Sequence, residues 1–74
     1  MPRLSAADAR EMLSRAGADP TIQFHALDSS AVDGLITEAN RVRYRVPISA
    51  NGSRARYFHA YLMRALAREQ RKES

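Results

Sequence analysis

Cysteine is absent from this 74-residue chain, lysine occurs once, and no apolar run approaches the length of a membrane span. Without cysteine there is no disulfide framework and no thiolate metal site. The same absence suits a reducing cytoplasm. Met1 is followed by polar residues and no apolar core, so no secretory signal is expected. Internal repeats and low-complexity tracts are missing. The three glycines are scattered, so no glycine-rich phosphate loop forms. No serine lies in a nucleophile-elbow context, and catalysis is not expected. No cofactor is expected either. His25 and His59 are the only histidines, and neither has cysteine or a pair of carboxylates near it in sequence. A metal needs three or four converging ligands, so both are read as exposed or satisfied structural residues.

What the chain does have is arginine, placed unevenly. Up to Asn40, six acidic residues face three basic ones, a net of −3; from Arg41 onward, nine basic residues face two acidic ones, a net of +7. Eleven of the twelve basic residues are Arg, Lys72 being the exception. A guanidinium group offers a planar fork of donors suited to phosphate and carboxylate, and it stacks on flat rings. The second half therefore reads as a contact surface for an acidic or phosphorylated macromolecule. The acidic positions Asp8, Glu11, Asp33 and Glu38 read as solvated surface, or as the complementary half of a homodimer. At this length the chain makes one domain, frayed over 1–4 and 72–74, whose core is small enough to gain from such pairing.

Hydrophobic spacing divides the chain into five segments. Ser5 caps a helix over 6–16 with Asp8 in its first turn; Ala9, Met12, Leu13 and Ala16 recur at helical spacing, and Gly17 and Pro20 end it. This thin apolar face suits a covering helix. Thr21 to Leu27 alternates and predicts a strand with Ile22, Phe24 and Ala26 on one side. Asp28, Ser29 and Ser30 offer caps for a second helix over 29–40, with Val32, Leu35, Ile36 and Ala39 on one face and Asn40 as a left-handed terminator. Gly34 weakens its interior slightly. Arg41 to Val46 alternates strictly and predicts a short strand with Val42, Tyr44 and Val46 toward the core and Arg41, Arg43 and Arg45 opposite. The competing reading carries the second helix on to Val42. Pro47 opens a loop through Asn51-Gly52, and Ser53 caps a third helix over 54–71. The free amides at that cap, with Arg54 and Arg56, could hold a phosphate, though an ordinary capped turn is the favoured reading. The predicted fold is α+β: three helices and two extended segments pairing as a small ladder, whose edges are a route to dimerisation. An all-α three-helix domain is the alternative.

The third helix is the most informative. At about 100° per residue, Ala55, Phe58, Leu62, Ala65 and Leu66 form one arc that buries. Beside it lie Arg54, Tyr57, Tyr61, Arg64, Arg68, Arg71 and Lys72. Rings alternating with guanidinium groups can stack on bases, hold phosphates or act as hot spots for a protein partner. The alternative is that the tyrosines merely flank the core while the arginines solvate an outer face. The candidate binding residues are Arg54, Tyr57, Tyr61, Arg64, Arg68 and Arg71, joined by Arg41, Arg43 and Arg45 if that row lies on the same side.

The run Tyr44-Arg45, Pro47, Ala50-Asn51-Gly52-Ser53, Arg56-Tyr57-Phe58 and Ala60-Tyr61-Leu62 with Arg64 resembles a pattern near the C-terminus of small phage and mobile-element proteins of proteobacteria. That pattern tends to carry glycine before the Tyr-Arg pair, where this chain has Arg43. The resemblance implies an accessory protein, of the kind that blocks host defence machinery as anti-CRISPR proteins do, or that regulates transcription. It implies a host protein, a nucleoprotein complex or nucleic acid as partner, no membrane, and no catalytic residue.

Overall fold

A computed structural model describes residues 4–45 and 54–73, with side chains of the last helix described to Glu69. Three α-helices form: α1 (Ala6–Ala16), α2 (Ser29–Arg41) and α3 (Arg54–Glu73), with a single 3-10 turn at Phe24–Ala26 between the first two. Each α-helix packs on the other two. Both ends of α1 and the N-cap of α2 are as the sequence implies. Ser5 Oγ accepts from the Asp8 amide at 3.1 Å, and Asp28 Oδ1 accepts from the Ala31 amide at 2.8 Å. Gly17 takes the left-handed conformation, φ 74°, that glycine adopts without steric cost. The Gly17 amide then donates to the Ser14 carbonyl and that of Ala18 to the Leu13 carbonyl, a Schellman closure.

The α+β expectation is overturned: no strand occurs among the described residues, and the fold is all-α. Two local features account for this. In the first predicted strand, the amide and hydroxyl of Thr21 both donate to Asp19 Oδ1, at 2.8 and 2.7 Å, and hold that carboxyl below its ordinary range. The chain turns there, and the Ala26 and Leu27 amides next donate to Gln23 and Phe24 carbonyls. Ile22, Phe24 and Leu27 are half-buried while Ala26 is exposed, so the period-two pattern is not realised. In the second, Arg41 is the last residue of α2 and Val42 its cap, in line with the competing reading of the sequence. The Arg43 amide donates to Asn40 and that of Tyr44 to Ala39, at 3.2 and 2.9 Å, a second Schellman closure. The left-handed residue is therefore Arg43, φ 55°, and not Asn40. An isolated two-stranded ladder is marginal in water, whereas these local bonds and three helical faces satisfy the same backbone. Val46, the Pro47-to-Gly52 loop, the Ser53 cap and its phosphate reading lie outside the described residues.

Arg43 stands where glycine is the natural residue. A side chain in this conformation costs about 1 kcal/mol or more. Arg43→Gly removes that cost but adds freedom to the unfolded chain, which offsets part of it. We expect a net gain of about 0.5 kcal/mol, read as a higher urea midpoint with an unchanged slope. A lower midpoint would mean that the Arg43 side chain contributes more than its backbone costs.

The core contains Phe58, Leu13, Leu35 and Leu62, all fully buried, and eight alanines. Each large side chain contributes roughly 1.5–3 kcal/mol of burial. The alanines contribute less area but let the helices approach closely. Accordingly α1 is a full layer of the core, not the covering helix its thin apolar stripe suggests, because Ala9 and Leu13 are completely enclosed. On α2 the buried face is Ala31, Leu35, Glu38 and Ala39; Val32 is half-buried and Ile36 exposed. This face is turned from the predicted one toward Gly34, which meets α1. On α3 the predicted residues Ala55, Phe58, Leu62 and Ala65 are buried, Leu66 is only half-buried, and His59 is added.

Candidate functional site

The aromatic and basic residues of α3 divide into three groups once their surroundings are visible. Tyr61 belongs partly to the core. Its ring stacks on Tyr44, centroids 5.0 Å apart with planes at 29°, and Tyr44 lies 5.3 Å from Phe58. Arg54 and Arg68 are engaged at opposite ends of the helix. Arg54 donates to the Asn40 side-chain oxygen, tying α3 to the end of α2, and Arg68 donates to the Leu4 carbonyl at 3.2 Å. Arg64 is exposed, and Tyr57 is half-buried. Among the described residues Tyr57 makes no ring pair and no side-chain hydrogen bond. The side chains of Arg71 and Lys72 lie outside the described residues.

The second arginine row is split. Arg41 turns back onto its own helix, donating through Nε to Glu38 Oε1 at 2.9 Å. Arg43 and Arg45 are exposed on either side of Tyr44. Tyr44, between them in the chain, stacks on Tyr61, so this segment meets α3 there. The candidate surface is Tyr57, Tyr61 and Arg64 on α3, with Arg43 and Arg45 in the adjoining segment. Among the described residues no carboxylate pairs with Arg43, Arg45 or Arg64. No family model matches the chain, and no curated protein or solved structure matches it.

Glu38 is not solvated surface. Its side chain is only 7% exposed, and its Oε1 accepts from Arg41 and lies 3.9 Å from Arg15 Nη1. The hydrogen bond from Arg41 holds its carboxyl below the ordinary range; burial opposes this and loses. The neighbouring guanidinium is correspondingly favoured in its charged form, first by the same bond. Asp8, Glu11 and Asp33 are exposed, as expected. Because the folded value of Glu38 is lowered, its contribution is complete above the unfolded value and disappears as pH falls through the folded one. Glu38→Gln is expected to cost about 1–2 kcal/mol at neutral pH. The two proteins should converge in melting temperature as pH falls below the ordinary carboxylate range and the native carboxyl protonates. A constant difference across that range would mean that the pair contributes no charge-dependent stability.

His59 departs most from its sequence reading. It is 5% exposed, and its Nε2 is buried with no hydrogen-bond partner among the described residues. It is thus neither exposed nor satisfied. Burial pushes its basicity below the ordinary histidine value; the Ile22 carbonyl opposes this, but no bond of ordinary geometry reaches Nε2. Leaving such an atom unpaired costs about 1–3 kcal/mol. The Phe24 ring lies 5.7 Å away, tilted by 53°. Both residues line an open cleft of about 620 Å³ between the 3-10 turn and α3, with Gln23, His25, Arg56, Ala60 and Met63. The two histidines therefore share one cleft. The only sequence signal was the position of His59 beside Ala55 at the rim of the burying arc. Among the described residues no three potential metal ligands converge, and no helix is long and apolar enough to cross a membrane.

Proposed function

We propose that this chain is a non-enzymatic phage or mobile-element accessory protein that binds a host protein or nucleoprotein complex and inhibits or modulates it. The observation carrying this reading is the set of exposed guanidinium groups Arg43, Arg45 and Arg64, which pair with no carboxylate among the described residues, together with the half-buried rings of Tyr57 and Tyr61. Tyrosine and arginine packed on a rigid element are the residue types that dominate binding energies. Unpaired cations beside them steer and orient an acidic partner. Intramolecular contacts favour a protein surface over free nucleic acid. One face of Tyr61 is already covered by Tyr44, which removes it as a platform for a base, and Arg54 and Arg68 are tied within the fold, which interrupts a phosphate-tracking row. The connection from Arg41 to Arg54 is also far longer than the turn of a helix-turn-helix.

The test is a titration of labelled duplex DNA and single-stranded RNA at about 50 and about 200 mM salt, where phosphate-driven binding weakens steeply. In parallel, the tagged protein is used for capture from a proteobacterial host extract at the higher salt. We expect weak binding of both free nucleic acids and stoichiometric retention of a host protein. Tight binding of free DNA or RNA at the higher salt would replace this reading with a small nucleic-acid-binding regulator.

A further inference from the structure

The cleft between Phe24–Ala26 and α3 has its own chemistry. Its charged and titratable lining residues are Arg56, His25 and His59, with no carboxylate among them; Phe24, Ala60 and Met63 supply apolar wall. Arg56 is exposed and pairs with no carboxylate among the described residues. His59 is one of the lining residues, almost wholly buried, and its Nε2 has no hydrogen-bond partner among the described residues. Buried polar atoms in native proteins are nearly always paired, so the imperfectly satisfied ring beside the cleft is a sensitive reporter of anything that binds there. The volume lies in the range of small-molecule sites, which combine apolar walls with a few polar groups that fix orientation. At about 100° per residue, Arg56, Ala60 and Met63 lie roughly a quarter-turn around α3 from Tyr57 and Arg64. The cleft is therefore independent of the docking face.

We propose that this cleft binds a small organic carboxylate, with the anionic group on the exposed Arg56 guanidinium and the apolar body against Phe24, Met63 and the His59 ring. A carboxylate accepts from the guanidinium fork through both oxygens, and the guanidinium supplies the charge complement. A flat apolar body suits a wall made of a ring and a thioether.

The experiment follows the ring nitrogens of His59 and the backbone amides by nitrogen–proton NMR while benzoate, benzylamine or inorganic phosphate is added to the full chain. Benzoate should produce saturable shifts at His59, Arg56 and Met63, benzylamine none, and phosphate at least tenfold weaker ones. Arg56→Glu, an exposed change expected to leave the fold intact by circular dichroism, should weaken benzoate at least tenfold. Absence of saturable shifts with benzoate would overturn the proposal. So would an equal response to benzylamine or phosphate, or undiminished binding by Arg56→Glu. None of these results depends on Tyr57 or Arg64, so the proposed docking function stands or falls separately.

Discussion

Gly34→Ala is expected to destabilise the domain by about 3 kcal/mol or more, a loss of about 15 °C in melting temperature for a chain of this size. A β-carbon built at Gly34 meets the Ala16 carbonyl oxygen at 2.1 Å, its carbonyl carbon at 2.7 Å and its α-carbon at 2.9 Å. All three are backbone atoms, so no side-chain rotation relieves the contact. Either α1 moves away from α2, opening the enclosed layer around Ala9, Leu13 and Leu35, or the helices lose their register. Overpacking in a core typically costs about 1–3 kcal/mol, and rigid neighbours place this site at or above the top of that range. The prediction is sharp because local propensity points the other way. Alanine in a helix interior is favoured over glycine by about 1 kcal/mol. The sign of the change in a thermal or urea melt thus decides between tertiary packing and helix propensity. A variant as stable as the parent would show that α1 and α2 do not approach at this point.

The second large effect is on binding. The double variant Tyr57→Ala, Arg64→Glu should reduce affinity for the host partner at least 100-fold, about 2.7 kcal/mol. Stability should change by less than about 0.5 kcal/mol, since neither side chain is enclosed or hydrogen-bonded within the fold. Removing Tyr57 deletes an aromatic anchor, and reversing the charge at Arg64 adds repulsion against an acidic surface. Tyr61→Ala makes a poorer test. It uncovers Tyr44 and Phe58, so lost binding and lost folding would arrive together. Calorimetry or surface capture with the purified partner, alongside a melt of each variant, separates the two effects. Wild-type affinity in a folded double variant would refute the docking face.

The split between what was legible and what was not follows the range of the interactions. Ser5, Gly17 and Asp28 act on amides within a few residues of themselves, so the bounds of α1 and the start of α2 could be read directly. The burying arc of α3 was equally plain, because Ala55, Phe58, Leu62 and Ala65 repeat at helical spacing. Alternation misled at 21–27 and 41–45. Ile22, Phe24 and Ala26 imitate a strand face, but Asp19 and Thr21 had already committed the backbone to a turn. At Arg43 a left-handed arginine closes α2 where the pattern led one to expect extension.

By itself the amino-acid order determined both ends of α1, the N-cap of α2, the run of α3 and the concentration of arginine in the C-terminal half, all of which depend on neighbours along the chain. Tertiary structure alone decided the rest. It turned Glu38 inward against Arg41, laid Tyr44 on Tyr61, gave Arg54 and Arg68 internal partners, and brought His25 and His59 to one cleft. Those outcomes depend on which helix faces meet, and the close approach at Gly34, not any local preference, sets that meeting.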